Sequence, residues 1–359
     1  MPSSARARTD AFHSVLAQVS PGTPLREALD RIVRAKMGAL VVADDTAEVL
    51  SLCSGGFMLD APFSPQRLSE LAKMDGAIIL SGSGGRIARA NVHLVPDPSV
   101  PTSETGTRHR TAERVARQLV DIPVISVSEE MGVLTVYVGD NKHVLQEIPR
   151  LLDKAGQALQ TLGRYKERLE EAGNSLAALE VEDLVTLRDV ATMIQRSETV
   201  RRIADEIETM IVELGVDARL LRLQVDELYG ETPTDLSLVI QDYLPVDSHR
   251  RAPHVMTDLA ALTDDDLIDA RVVAATLRLD NAELDQSVQP RGYRLLSELP
   301  RMNPDMIDAV VGRYGTLIKL LRASTDDLAC CPGIDADRAR MIKEGLARLA
   351  EESILDQYG

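Results

Sequence analysis

Residues 106–112, GTRHRTA, set Arg108, His109 and Arg110 between two threonines, behind a glycine. Two like charges about 4 Å apart repel by roughly 4 kcal/mol at an effective dielectric near 20. Guanidiniums held together therefore call for an anion. If a helix opens near Thr107, steps of 100° put Thr107, Arg108 and Thr111 on one face and Arg110 at its margin. Two hydroxyls, one or two guanidiniums and the open N–H groups of a helix start are the ingredients of a phosphate site. Gly106 would let a phosphate approach the backbone closely. His109 projects to the other side and is left with a different job, orienting the loop or reaching across to a partner. The alternative is a solvated basic helix start paired with Glu104 and Glu113.

Two further spots carry chemistry. In KMDGAIIL, Asp75-Gly76 stands between a helical and a strand-like pattern. Asp-Gly is a strong turn pair, and a carboxylate at a sheet edge can also hold a divalent metal or a ribose hydroxyl. Ser128, Glu129 and Glu130 follow the strand-like run 122–127, and strand ends are where α/β sites gather. Paired glutamates there bind metal or sugar, or are simply solvated.

These residues need a scaffold, and the first 145 or so positions suggest one. Short β-branched runs at 38–43, 76–80, 88–95, 122–127 and 133–138 alternate with helical patterns at 65–74 and 111–120. That alternation predicts an α/β domain with a mixed, mostly buried sheet flanked by helices. The proline-rich stretch 95–106 reads as a loop feeding the cationic motif. Beyond residue 145 the pattern is helical. Ala155, Leu159, Leu162, Leu169, Leu176 and Leu179, with Tyr165 and Ala172 in the gaps, form a coiled-coil-like stripe. The segment is either a plain bundle or a rigid spacer. Residues 230–256, polar and broken by prolines, read as loop-rich. Two similar helix–turn–helix units follow, at 295–315 and 320–349. The boundaries drawn are 1–147, 148–288 and 289–359.

Composition restricts the partners. The 359 residues carry a net charge of −16, which argues against whole-surface attraction to nucleic acid or anionic membrane. Any phosphate binding must be local. No run reaches the roughly 20 apolar residues of a membrane span, and the first ten residues lack the apolar segment of a secretory signal. The three cysteines, Cys53, Cys330 and Cys331, show no zinc spacing. A reduced, cytoplasmic protein is the expectation.

Taken together, Asp75-Gly76-Ala77 and Arg108-His109-Arg110, in this order and spacing, resemble the diadenylate cyclase family. Gly106-Thr107, Thr111 and Ser128-Glu129-Glu130 add to the match. The layout of cyclase, helical spine and helix-hairpin-helix domain resembles the DNA-scanning members of that family along nearly the whole chain. The resemblance implies that two ATP molecules condense to cyclic di-AMP and two pyrophosphates, with Mg²⁺ or Mn²⁺. It implies that Asp75 holds the metal with help from Glu130, and that Gly76, Ala77 and Leu94 line the nucleotide. Thr107, Arg108, Arg110, Thr111, Ser128 and Glu129 would bind the ATP or its developing charge, with His109 among the catalytic motif. It further implies a homo-octamer with cyclase domains face to face, and binding of branched DNA without sequence preference, coupled to DNA damage. Gly333, Arg338, Arg340 and Lys343 would carry the DNA contact. The hairpin pattern Gly-hydrophobic-Gly is broken at both places: Gly333-Ile334-Asp335 has an acid in third position, and Arg301-Met302-Asn303 has no glycine. The rival reading is a non-catalytic DNA-binding structural protein whose nucleotide site only senses ATP.

Overall fold

A computed structural model of the chain describes residues 4–230, 232–245, 251–277 and 283–358. It divides into two compact units, one of residues 1–156 with 208–222, the other of residues 157–207 with 223–359.

The first unit runs α1 (Ser4–Gln18), α2 (Pro24–Arg34), β1 (Ala39–Val42), α3 (Ala47–Ser51), β2 (Cys53–Ser54), β3 (Phe57–Pro62), α4 (Pro65–Leu71), β4 (Ala77–Leu80), β5 (Arg86–Leu94), α5 (Thr107–Gln118), β6 (Val124–Val127), β7 (Leu134–Val138) and β8 (Asn141–Val144). Among the described residues its eight strands form one mixed sheet in the order β2-β5-β4-β1-β6-β7-β8, with β3 pairing β5. Only β1 and β4 run parallel; the other pairings are antiparallel.

The apolar runs are continuous because the central strands are covered on both faces. Side chains alternate across the sheet. Val41, Ile78, Leu80 and Ile125 enter one core with Leu29 and Ile32 of α2 and Leu68 of α4. Leu40, Val42, Ala77, Ile79 and Val124 enter a second core with Ala112, Val115 and Ala116 of α5. Thr23 and Ser64 cap α2 and α4 through their side chains, each followed by proline at the first helical position. Strands β2, β3 and β8 fall outside the runs read from the sequence. Phe57, Met58 and Leu59 are exposed despite their apolar character, so β3 lacks the alternation that marks a half-buried strand.

The second unit holds most of α6 (Ile148–Glu182) and of α7 (Leu187–Leu214) and the shorter helices that follow. Ala155, Leu162, Leu169 and Leu176, the seven-residue repeat of the stripe, are all buried. After a 3₁₀ turn at Gly215–Ala218 come α8 (Arg219–Tyr229), α9 (Thr232–Tyr243), α10 (Ala252–Ala261), α11 (Asp264–Ile268) and α12 (Ala270–Thr276). The loop expected over 230–256 is therefore wrong where the chain is described; residues 231 and 246–250 lie outside the described residues. Pro233 and Pro253 sit in the first turns of α9 and α10, where a missing N–H costs nothing, so they start helices rather than break them.

The chain ends with α13 (Tyr293–Ser297), α14 (Pro304–Tyr314), α15 (Leu317–Arg322), α16 (Thr325–Ala329) and α17 (Ala336–Tyr358), around a core of Leu296, Val310, Leu317, Leu328 and Ile342. The internal repeat is visible in backbone angles. Arg301 and Gly333 hold equivalent places and both are left-handed, at φ 63° and 79°. The third hairpin residues, Asn303 and Asp335, cap the next helix: Asn303 Oδ1 accepts from the Met306 N–H at 2.9 Å, and Asp335 Oδ1 from the Arg338 N–H at 2.8 Å. The glycines missing from the third position thus have a physical reason, since Asn and Asp outrank Gly as caps; the left-handed Arg301 has no such explanation.

A buried charge cluster ties the spine to this end within the second unit. Asp242 accepts from the N–H groups of Gly292, Tyr293 and Arg294. Glu180 accepts from Tyr243 Oη and the Arg294 guanidinium.

Candidate active site

The cationic motif is delivered by a loop fastened along α5. Arg114 Nε donates to the Val100 carbonyl at 3.0 Å and Arg117 Nη1 to that of Pro101 at 2.6 Å. Buried Glu113 accepts from the N–H of Ser103 at 2.9 Å and the hydroxyl of Thr102, and pairs with Arg117 at 3.0 Å. This accounts for Glu113, which belongs to the loop anchor and not to the motif's arginines. The loop ends at Gly106, the N-cap of α5, which offers no side-chain cap. The first intrahelical bond runs from the Arg110 N–H to the Gly106 carbonyl at 2.8 Å. The N–H groups of Thr107, Arg108 and His109 precede it and stay open.

The helix start splits the motif as the wheel predicts. Arg108 turns to one side, where its Nη1 lies 3.3 Å from Glu129 Oε2 and its Nη2 3.6 Å from Asp75 Oδ1. Three separate segments, the start of α5, the turn before β4 and the turn after β6, thereby bring Asp75, Arg108 and Glu129 together. The Asp75 and Glu129 side chains are open to solvent, and Arg108 is 37% exposed. Exposed pairs of this kind are worth about 0–1 kcal/mol, so Arg108 can leave them readily for a stronger anion. Its guanidinium rests on the backbone of Gly38: a methyl group there would lie 2.2 Å from Nη1. Nothing in the local sequence links Gly38 to this site.

Gly76 is left-handed at φ 100°, and a methyl group there would meet the Asn91 and Val92 backbone at 2.9 Å. The turn thus requires glycine, and it leaves Asp75 standing clear of the surface. The Ala77 side chain is fully buried and that of Leu94 nearly so. Ser128 Oγ accepts from the Met131 N–H at 3.3 Å, shaping the turn that carries Glu129 and exposed Glu130. Arg110 is exposed and Thr111 half-buried. A cleft of about 710 Å³ lies elsewhere, at the β4–β5 hairpin, lined by Gln18, Thr23, Phe63 and residues 80–85. It contains none of these residues, so chemistry and not open volume marks the site.

His109 faces a different set. Its Nδ1 lies 2.9 Å from Tyr137 Oη, which donates to Glu104 Oε1 at 3.0 Å, and Lys142 Nζ stands 2.5 Å from that same oxygen. Burial raises the Glu104 carboxyl, but hydrogen bonds from Lys142 and Tyr137 outweigh it and hold the group below its ordinary range. Burial, with the charges of Lys142 and Arg108, holds His109 below its ordinary value against the opposing pull of Glu104. Tyr137 is pushed well up by burial and by Glu104. The sequence offers Glu104 only as a candidate partner for the arginines and does not point to Tyr137, whose place in an almost wholly buried strand signals core.

At the C-terminal end, Arg340 is 64% exposed and Arg338 40%, with Arg338 Nη1 donating to the Gly333 carbonyl at 3.0 Å. Lys343 is engaged internally: its Nζ donates to the carbonyls of Leu321 and Ala323 at 2.5 and 2.9 Å, closing the end of α15. Among the described residues no helix is long and apolar enough to cross a membrane.

Comparison with known proteins matches residues 26–142 to the family described as DisA bacterial checkpoint controller nucleotide-binding. Residues 145–285 match the DisA bacterial checkpoint controller linker region, and residues 293–348 the SAM-like helix-hairpin-helix tandem. The DNA integrity scanning protein DisA of Parafrankia sp. is 51% identical over 352 residues, 97% of this chain and 98% of that protein. That of Acidothermus cellulolyticus is 51% identical over 357 residues, 98% and 97% of the two chains. Among solved structures, DacA from Staphylococcus aureus aligns at 25% identity and a TM-score of 0.29, over 37% of this chain and 88% of that one.

Proposed function

The chain belongs to the DisA family of DNA integrity scanning proteins, and on that premise we propose that the Asp75–Arg108–Glu129 cluster at the open start of α5 is its cyclase site. The protein is a diadenylate cyclase, a nucleotidyltransferase that binds ATP, joined to a helix-hairpin-helix module with a DNA-related role. The reaction proposed is the condensation of two ATP into cyclic di-AMP. Each 3′-oxygen forms a bond to the other nucleotide's α-phosphorus, the bond from that phosphorus to the bridging oxygen breaks, and pyrophosphate leaves. The observation that carries the reading is Arg108, poised between two exposed carboxylates it can exchange for a triphosphate.

In this reading Thr107, Arg108 and Thr111 bind phosphate beside the open N–H groups of α5. Arg108 and Arg110 offset charge that builds on the α-phosphate and the leaving group. Asp75 would help activate the 3′-hydroxyl by taking its proton. Gly76 and Ala77 line the nucleotide by backbone, with Leu94 against the base and Ser128 at the triphosphate. Among the described residues no group of three or more metal-binding side chains exists. Asp75, with Glu130 from the turn after β6, would hold Mg²⁺ or Mn²⁺ alongside the triphosphate oxygens. Such an ion, when bound, neutralises phosphate charge. One site holds one ATP while the product joins two symmetrically, so two cyclase units must meet face to face; the assembly proposed is an octamer. Branched or damaged DNA, read by backbone N–H groups of the hairpins with Gly333, Arg338 and Arg340 near phosphate, is the proposed input.

Asp75→Asn tests the site. Mass spectrometry of the variant with ATP and Mn²⁺ should show no cyclic dinucleotide, while calorimetry still shows ATP binding. Full product formation by the variant would remove Asp75 from the mechanism.

A further inference from the structure

The His109 contacts can be resolved to the level of individual protons. A tyrosine hydroxyl has one hydrogen, and an ionised carboxylate can only accept. Glu104 is held ionised by Lys142 at 2.5 Å, so the Tyr137 hydrogen is spent on Glu104 Oε1. Toward His109, Tyr137 Oη can then only accept. The 2.9 Å contact therefore places a hydrogen on His109 Nδ1. In a neutral ring the other nitrogen, Nε2, carries a lone pair. Tyr137 is buried, at 1% exposure. The Thr135 side chain, within hydrogen-bonding reach of its hydroxyl, lowers its pKa and so acts as a donor to it, leaving the Tyr137 hydrogen with Glu104.

We propose that Tyr137 and Glu104 are positioning residues of the cyclase site, fixing the neutral His109 ring with its proton on Nδ1 so that Nε2 accepts a hydrogen bond from a nucleotide hydroxyl or amino group. This rests on the proposed site and sharpens the role of one member. Triphosphate oxygens near neutral pH accept and do not donate, so an Nε2 lone pair cannot serve them. The nucleotide's donors are its ribose hydroxyls and the adenine amino group. His109 therefore works on the nucleoside, while Arg108 works on the phosphates. The groups facing the ring are Tyr137 of β7, Lys142 of β8, Glu104 of the loop and Arg108 of its own helix. Burial and both cations favour the neutral form over Glu104's opposing pull, which agrees with the accepting role.

The full chain labelled with ¹⁵N-histidine tests the ring directly. Of its six histidines, His109 is the one whose signals vanish in His109→Gln. At pH 7.5 its Nδ1 should give a protonated-nitrogen shift and its Nε2 a lone-pair shift. An Nε2–H ring, or an imidazolium, overturns the proposal. Tyr137→Phe keeps the aromatic packing and removes the hydroxyl, so it should release the tautomer. It should also lower kcat by about tenfold or more, as expected when an orienting partner is lost. Binding of 3′-deoxy-ATP, which cannot cyclise, should change less than about threefold, a loss of phosphate grip being the contrary case. Glu104→Gln keeps an oxygen for Tyr137 and should retain most of the activity that Glu104→Ala loses. Unchanged kcat in Tyr137→Phe overturns the positioning role even if the ring is released. Full activity in Asp75→Asn is a separate failure, of the site itself, and leaves the ring shifts as they are measured.

Discussion

Gly38→Ala asks whether the seat of Arg108, rather than its presence, sets the cyclase rate. The added methyl would stand 2.2 Å from Nη1, 2.7 Å from Cζ and 3.3 Å from Nε. Ordinary contact begins at about 3.5 Å, so the guanidinium must move by roughly 1 Å. It ends a flexible side chain, and Gly38 is not among the left-handed glycines, so the fold loses little. Alanine's smaller unfolded-state entropy works in the stabilising direction, by about 0.4–1 kcal/mol. The chemistry tolerates less, since a 1 Å misplacement can cost about 100-fold, or about 2.7 kcal/mol. We expect kcat/KM for cyclic di-AMP formation to fall about 10- to 100-fold while Tm stays within about 3 °C. Chromatographic initial rates over a range of ATP, with calorimetric melting, measure both. In an Arg108→Ala background the clash partner is gone, so the same change should cost less than about twofold. A full additional loss in that background, or wild-type kcat/KM in Gly38→Ala alone, refutes the reasoning.

Asp335→Asn keeps the cap of α17 and removes a negative charge beside the hairpin, so DNA affinity should rise at fixed salt with Tm unchanged; Asp335→Ala should cost about 1 kcal/mol of stability. Arg340→Ala should weaken DNA binding and reduce the salt slope by about one, whereas Lys343→Ala should mainly lower Tm, because its ammonium holds two carbonyls of the fold. Asp242 is pushed up to about 7 by burial and by the charge of Glu180. A raised folded-state value means that its stabilising contribution is complete below about pH 4 and is lost as pH rises through 7. Melting of wild type against Asp242→Asn should show the wild type losing stability relative to the variant as pH rises across that window; a constant difference would contradict it.

Much of the first unit was legible because both faces of its sheet are buried. Runs such as ALVV and AIIL are apolar at every position, and no tertiary override was needed to make them strands. The edges were less legible. The apolar residues of β3 are exposed, and β8, Asn141–Val144, is polar, so both depend on pairing that no periodicity records. The prolines of 230–256 misled for another reason: position within a helix decides whether proline breaks or begins it, and Pro233 and Pro253 fall in first turns.

At the site, the sequence could separate the motif but not supply its partners. Helical geometry alone puts Arg108 and His109 on different faces of α5, and the contacts bear that out. What decides each residue's chemistry comes from elsewhere in the chain: Gly38 under the guanidinium, and Tyr137, Glu104 and Lys142 around the imidazole. Glu104 shows why proximity in sequence misleads. It lies four residues before Arg108, where an ion pair is the natural guess, yet it spends its charge on Lys142 and its other lone pairs on Tyr137. That choice leaves Arg108 free of a buried counter-ion and fixes a hydrogen on the far side of the ring. One carboxylate thereby settles the chemistry of both faces of the helix, by staying away from one and reaching the other through a tyrosine.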